Sequence, residues 1–152
     1  NYQLVRAIGE PGNGDHQLRS PADAALNAAE TELLVLDRLN KVIKVFNVEG
    51  NYLRTIEPYP GSCSWFSGCT GGTPFTRLQA ANLAPDGTLH VMDIFDVVIG
   101  IYDTQSGDYV EQYGEAGEEA GTLKSPMDLL VEPGRALVID GGKNTIEVLV
   151  LP

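Results

Sequence analysis

Apolar residues in this chain come in short runs cut by turn-forming residues. LLVLD (from Leu33), VIKVF (from Val42) and YLRTI (from Tyr52) follow one another, with RLNK and NVEGN between them. Runs rich in β-branched residues and bounded by Gly, Asn and Asp read as strands joined by tight turns. Nowhere do apolar residues recur at three and four over a helix-length window. The pattern predicts an all-β chain whose first unit has an inner strand at Ala24–Leu26, a second at Leu33–Asp37, a third at Val42–Phe46 and an outer one at Tyr52–Ile56.

The unit repeats. Gly9 and Gly114, like Pro21 and Pro126, are 105 residues apart, and both segments set Ser-Pro at the same distance from the Gly. A more divergent middle copy, TRLQAANLAPDGTLHVMDIFDVVIGIYD, has Leu78 where the others have proline. Asp37, Asp93 and Asp140 fix the register: each closes an apolar strand (VLD, VMD, VID), and nine residues later come Phe46, Tyr102 and Leu149. Spacings of 56 and 47 residues between these aspartates suit a propeller blade, and four antiparallel strands per unit make one. The expected organisation is an outer strand at 1–9, blade one at 20–57, an insertion at 58–75, blade two at 76–114 and blade three at 125–152.

Composition narrows the function. At 152 residues and 16.3 kDa, 43% hydrophobic, the chain can bury one core or a short repeat array, and no apolar run approaches bilayer length. Ten Lys and Arg against 21 Asp and Glu give a net charge of -11, which repels phosphate backbones and argues against a nucleic-acid partner. Seventeen Gly and nine Pro suit a turn-rich fold. The first residue is Asn1 and the opening NYQLVRAIG looks like a strand without the regions of a signal peptide, so either a leader has been removed or the chain is a fragment.

The succession of Gly, Ser-Pro, an apolar strand, an apolar strand ending in Asp, a polar turn with Asn, a strand ending in Phe and then GNYLRTI resembles the NHL-repeat family. The likeness covers nearly the whole chain and is weakest in the middle copy, which lacks the Gly and the Pro. It implies three blades of a six-bladed propeller. Relatives of this kind mostly serve as binding platforms for proteins, RNA or other ligands, and a minority of similar propellers are lyases or calcium-dependent hydrolases. The expected function is a non-catalytic protein-binding or scaffold subunit of an extracytoplasmic assembly. The alternative is a propeller enzyme, a lyase or calcium-dependent hydrolase, with its site at the channel mouth.

Candidate chemistry is sparse. Cys63 and Cys69, the only cysteines, flank CSWFSGC in a Gly/Ser-rich loop and suit a disulfide in a periplasmic or extracellular protein, with two free thiols as the other reading. The repeated Asp37, Asp93 and Asp140 either tie a turn by accepting backbone N–H bonds or ligate metal. Asp23 and Asp128 are equivalent by register, with Ala80 between them, and start inner strands near the channel, where carboxylates can hold calcium; no other cofactor is expected. His90 replaces Leu34 and Leu137 of the other copies and reads as packed, while His16 sits in the exposed loop EPGNGDHQL. No Ser-His-acid set and no phosphate-binding Gly loop appears. The step from Ile8 to Pro21, or from Tyr113 to Pro126, is 13 residues, but Ile56 to Leu78 takes 22. That insertion carries Tyr59, Trp65, Phe66 and Phe75, which either contact a partner or cap the core.

Strand counting gives a last expectation. YQLVRAIG aligns with NYLRTI and DYVEQYG as an outer strand without a blade of its own, and the third copy stops after its third strand. Two chains exchanging this strand would complete a six-bladed ring as a homodimer; the rival is that the other blades come from a different subunit or a missing part of the same polypeptide.

Overall fold

The structure is a computed structural model that describes residues 3–57, 63–64, 68–69 and 76–151. A short parallel pair, β1 (Glu10–Pro11) with β2 (Gln17–Leu18), precedes the first sheet. That sheet is the antiparallel meander β3 (Pro21–Leu26), β4 (Glu32–Asp37), β5 (Val42–Asn47) and β6 (Tyr52–Ile56). A two-residue hairpin, β7 (Cys63–Ser64) with β8 (Gly68–Cys69), lies in the insertion. The second sheet comprises β9 (Leu78–Leu83), β10 (Thr88–Asp93), β11 (Val98–Asp103) and β12 (Tyr109–Tyr113). The third has β13 (Pro126–Glu132), β14 (Arg135–Asp140) and β15 (Thr145–Val150).

These sheets are the expected blades, and the repeat extends to their irregularities. Each inner strand begins at Pro21, Leu78 or Pro126, paired with Asp37, Asp93 or Asp140, and a register shift follows at once. The shift is why β3 starts at Pro21 and not at Ala24: the bulge lets pairing continue to the end of β4. Leu78 fills the proline's place because the position heads its strand, where a missing N–H and an ordinary residue are both tolerated. The turn after each aspartate also repeats. Lys41, Val97 and Asn144, each four residues on, have φ of 58°, 55° and 56°. Asn tolerates this left-handed conformation, whereas for the β-branched Val97 it is strained.

The blades stack face to face through two apolar seams. Leu34, Leu36, Ile43, Val45 and Ile56 of the first pack with Leu78, Leu89, Val91 and Tyr102 of the second. Met92 and Ile99 on the opposite face of the second pack with Leu123, Leu129, Val131 and Val138 at the third. Alternation along each strand sends successive side chains to opposite seams, so the middle blade is covered on both faces. At about 1.5–3 kcal/mol per fully buried aliphatic side chain, these seams dominate the favourable side of folding.

Residues 3–9 belong to no sheet, and Leu4 and Val5 are exposed. The outer edge of β15 has no partner strand among the described residues.

Candidate functional site

The strand-closing aspartates are fasteners. Asp37, buried, accepts the Arg19 and Ser20 N–H groups at 2.8 and 3.0 Å, the Asn40 N–H at 3.3 Å and the Asn40 side-chain amide at 2.8 Å. Asp93 accepts from Thr76 (2.5 Å), Arg77 (2.8 Å), Phe95 (2.8 Å) and Asp96 (3.4 Å). Asp140 accepts from Lys124 (2.6 Å), Ser125 (3.0 Å), Gly142 (3.0 Å) and Lys143 (3.3 Å). In every blade one carboxylate joins the two residues before the inner strand to the turn after the second strand. Burial raises the Asp140 pKa, but its four backbone N–H donors outweigh that and leave it below the ordinary value.

The inner strands β3, β9 and β13 form a shallow cleft lined by Asp23, Ala81, Asn82 and Asp128 among others. Asp23 accepts the Ala24 N–H at 2.8 Å through one oxygen and the Ala81 N–H of the next blade at 2.9 Å through the other. Asp128 repeats the first bond, to Leu129 N–H at 2.9 Å. Asn82 carries the second stitch across to Val131 N–H at 3.0 Å, because Ala80 stands in the aspartate's register. Among the described residues no three His, Cys, Asp or Glu side chains gather as a metal would require.

His90 is buried at the seam between blades two and three, in hydrogen-bond contact with Tyr113 Oη (2.9 Å from Nδ1) and Thr88 Oγ1 (3.2 Å from Nε2). Thr88 gives its hydroxyl proton to Asp86 at 2.7 Å, so it can only accept from His90. The imidazole therefore carries its proton on Nε2 and accepts from Tyr113 at Nδ1. The result is one directed chain from Tyr113 through His90 and Thr88 to Asp86. Burial pushes the His90 pKa down, against an opposing pull from Asp86, and keeps the ring neutral; burial pushes the Tyr113 hydroxyl up. The chain opens on a cleft of about 600 Å³ between the two blades, walled by Pro85, Ile101, Val110, Val131 and Pro133. Sequence reasoning marked His90 as packed; its partners lie two residues before it and 23 residues after it, and only the fold joins Tyr113 to it. His16 lies in its loop with Nε2 2.9 Å from Glu10.

Blade three has an uncovered apolar face. Leu130, Ile139, Ile146 and Val148 are exposed on the side away from blade two. The proposed contact residues Tyr59, Trp65, Phe66 and Phe75 lie outside the described residues, as do the side chains of Cys63 and Cys69. The backbone nonetheless pairs Cys63 directly with Cys69 across the hairpin.

No family model and no curated protein matches the chain in sequence. Solved structures do match in shape. Hydrazine synthase of Kuenenia stuttgartiensis superposes with a TM-score of 0.56 at 11% identity, over 99% of this chain and 40% of the other. A catalytically inactive virginiamycin B lyase from Staphylococcus aureus, solved with quinupristin, does so with a TM-score of 0.57 at 16% identity, over 95% of this chain and 44% of the other. The chain thus spans less than half the length of either. At such identities the likeness shows the fold alone: this chain is built of antiparallel β-propeller blades.

Proposed function

We propose that this chain is a non-catalytic, NHL-like propeller unit that acts as a protein-binding or scaffold subunit in a periplasmic or extracellular assembly. The observation that carries the reading is the uncovered face of blade three. Its row Asp128–Ile139–Ile146 is the counterpart, strand for strand, of Ala80–Met92–Ile99 in blade two, which a neighbouring blade covers completely. The exposed Ile139, Ile146 and Val148 of this face are suited to burial against a further blade or a protein partner. The carboxylates that looked most like ligands are engaged by backbone N–H groups, and this favours binding over catalysis. The neighbours in shape include a lyase and hydrazine synthase, so the fold by itself does not select a chemistry.

The Cys63–Cys69 backbone pairing supports a disulfide, since opposed residues in an antiparallel pair have Cα atoms about 4.5–5.5 Å apart, within the range a disulfide spans. A disulfide there would fit an oxidising compartment and a preorganised aromatic loop. Native mass spectrometry combined with hydrogen exchange tests the reading. The protein should occur in an assembly heavier than 16.3 kDa, with Ile139, Ile146 and Val148 protected. A folded 16.3 kDa monomer whose third blade exchanges freely would refute it.

A further inference from the structure

The two seams differ at one equivalent place. In blade one Leu34, Val45 and Arg54 stand side by side on the second, third and outer strands, and in blade two the same row reads His90, Ile101 and Glu111. Glu32 and Thr88 head the second strand in the two blades, opposite Asn47 and Asp103. At the first seam Arg54 meets both oxygens of Glu32 at 2.8 and 3.0 Å and donates to Thr104 O of blade two at 2.7 Å. Its guanidinium therefore lies between the blades.

At the second seam both members of that ion pair are exchanged. Glu111 stands in place of the arginine and Thr88 in place of the glutamate, and both line the cleft of about 600 Å³ between blades two and three. Asp86 and Glu132 line it as well, and no Lys or Arg does among the described residues. Glu132 is held by Arg135 at 2.7 Å. Asp86 receives the Thr88 N–H and hydroxyl on Oδ1, at 2.9 and 2.7 Å, and these bonds hold its carboxyl below the ordinary range, so it is ionised. Its Oδ2 has no donor among the described residues. Glu111 is exposed and has neither hydrogen bond nor ion pair among the described residues.

We propose that this cleft receives an arginine side chain of a protein partner, whose guanidinium takes the place between the blades that Arg54 takes at the first seam. This rests on the protein-binding reading and gives the partner its chemistry. The directed chain spends every donor it has: Tyr113 on His90, His90 on Thr88, and Thr88 on Asp86. What its end offers the cleft is an acceptor, Asp86 Oδ2, beside the Glu111 carboxylate. A ligand matching the two brings donors and positive charge. Guanidinium presents five N–H groups in one plane and pairs with carboxylates through two at once, whereas an ammonium acts as a point charge. Ile101, Val110, Val131 and Pro133 supply an apolar wall for the methylene stem.

Titration with a capped Gly-Ser-Arg-Ser-Gly peptide, followed by amide NMR, tests this beside the same peptide carrying citrulline or lysine at its centre. Citrulline keeps the shape of arginine and loses the charge. The arginine peptide should shift the Thr88, Glu111 and Gly134 amides and bind about tenfold more tightly than either control. Glu111→Gln should weaken it by about tenfold. Glu111→Arg should abolish binding without lowering the melting temperature, because the chain then supplies its own guanidinium to Asp86. No shift up to about 10 mM peptide overturns the proposal. So does equal binding of the citrulline or lysine peptide, or binding that Glu111→Gln leaves unchanged. Capped arginine alone binding more tightly than the peptide would make the ligand a small molecule and overturn the protein source. An assembly in native mass spectrometry that Glu111→Gln leaves intact overturns the cleft but leaves the protein-binding reading standing.

Discussion

Replacing Asp140 by Ala removes the acceptor of four backbone N–H groups, of which Lys124 at 2.6 Å is the shortest, followed by Ser125 and Gly142 at 3.0 Å. A hydrogen bond to a charged group is worth about 1.5–3 kcal/mol net, and a donor left unmet in a buried site costs about 1–3 kcal/mol. The four share one carboxylate and one local geometry, so their losses do not add. All four donors belong to exposed or half-exposed residues that water can partly serve, and the lost charge-assisted bonds set the scale at about 3–5 kcal/mol. For a chain of this length that lowers Tm by roughly 6–20 °C. Asp140→Asn should cost less, since three of the four donors share Oδ1 and only the Lys124 N–H meets Oδ2. Urea titration followed by circular dichroism measures both variants. The folded carboxyl titrates below its unfolded value, so its contribution is complete above about pH 4 and fades as pH falls through the folded pKa. The gap between wild type and Asp140→Ala should close in that acidic window. A loss under about 1 kcal/mol at pH 7 would refute the fastening role.

Four further outcomes are expected. The folded pKa of His90 lies below its unfolded value, so stability is full above about pH 6.5 and declines as pH falls from there, a decline that His90→Leu should abolish in pH-dependent urea melts. Mass spectrometry after alkylation without reductant should find Cys63 and Cys69 unlabelled and joined; two labelled thiols in the folded protein would remove both the bridge and the extracytoplasmic assignment. Trp65→Ala and Phe66→Ala should each weaken partner binding, measured by calorimetry, by more than about 1 kcal/mol with unchanged melting, whereas equal losses of folding and binding would make these rings core caps. Calcium at about a hundred times a millimolar dissociation constant would add about 2.7 kcal/mol, so a Tm that stays flat on titration rules out a site of that strength at Asp23 and Asp128.

The blades were legible because their signals are local. Alternation, turn residues and the Asp at each strand end lie within a few positions of one another, and even blade two, without its Gly and Pro, kept the register through Asp93. The hairpin at Cys63–Cys69 and the parallel pair at Glu10–Pro11 and Gln17–Leu18 escaped notice because two-residue strands have no measurable period. The links between blades were also invisible. Arg38 reaches Leu78 O at 2.8 Å, and Arg54, paired with Glu32 of its own blade, reaches Thr104 O of the next at 2.7 Å. None of these has a counterpart at the seam between blades two and three, where Val131 N–H donates to Asn82 at 3.0 Å and the Gln79 amide to Met127 O at 3.4 Å. Repetition reveals what repeats, and each seam is stitched by different residues.

The fasteners close within a blade and never between blades. The clasp of blade two begins at Thr76 and Arg77, downstream of the whole insertion, so the length of chain between Ile56 and Thr76 enters neither the clasp nor the ladder. Blade junctions are therefore free to lengthen, diversify or receive grafted loops while the blades themselves hold their register. A scaffold built this way separates the part of its sequence that must be kept from the part that is available for new recognition.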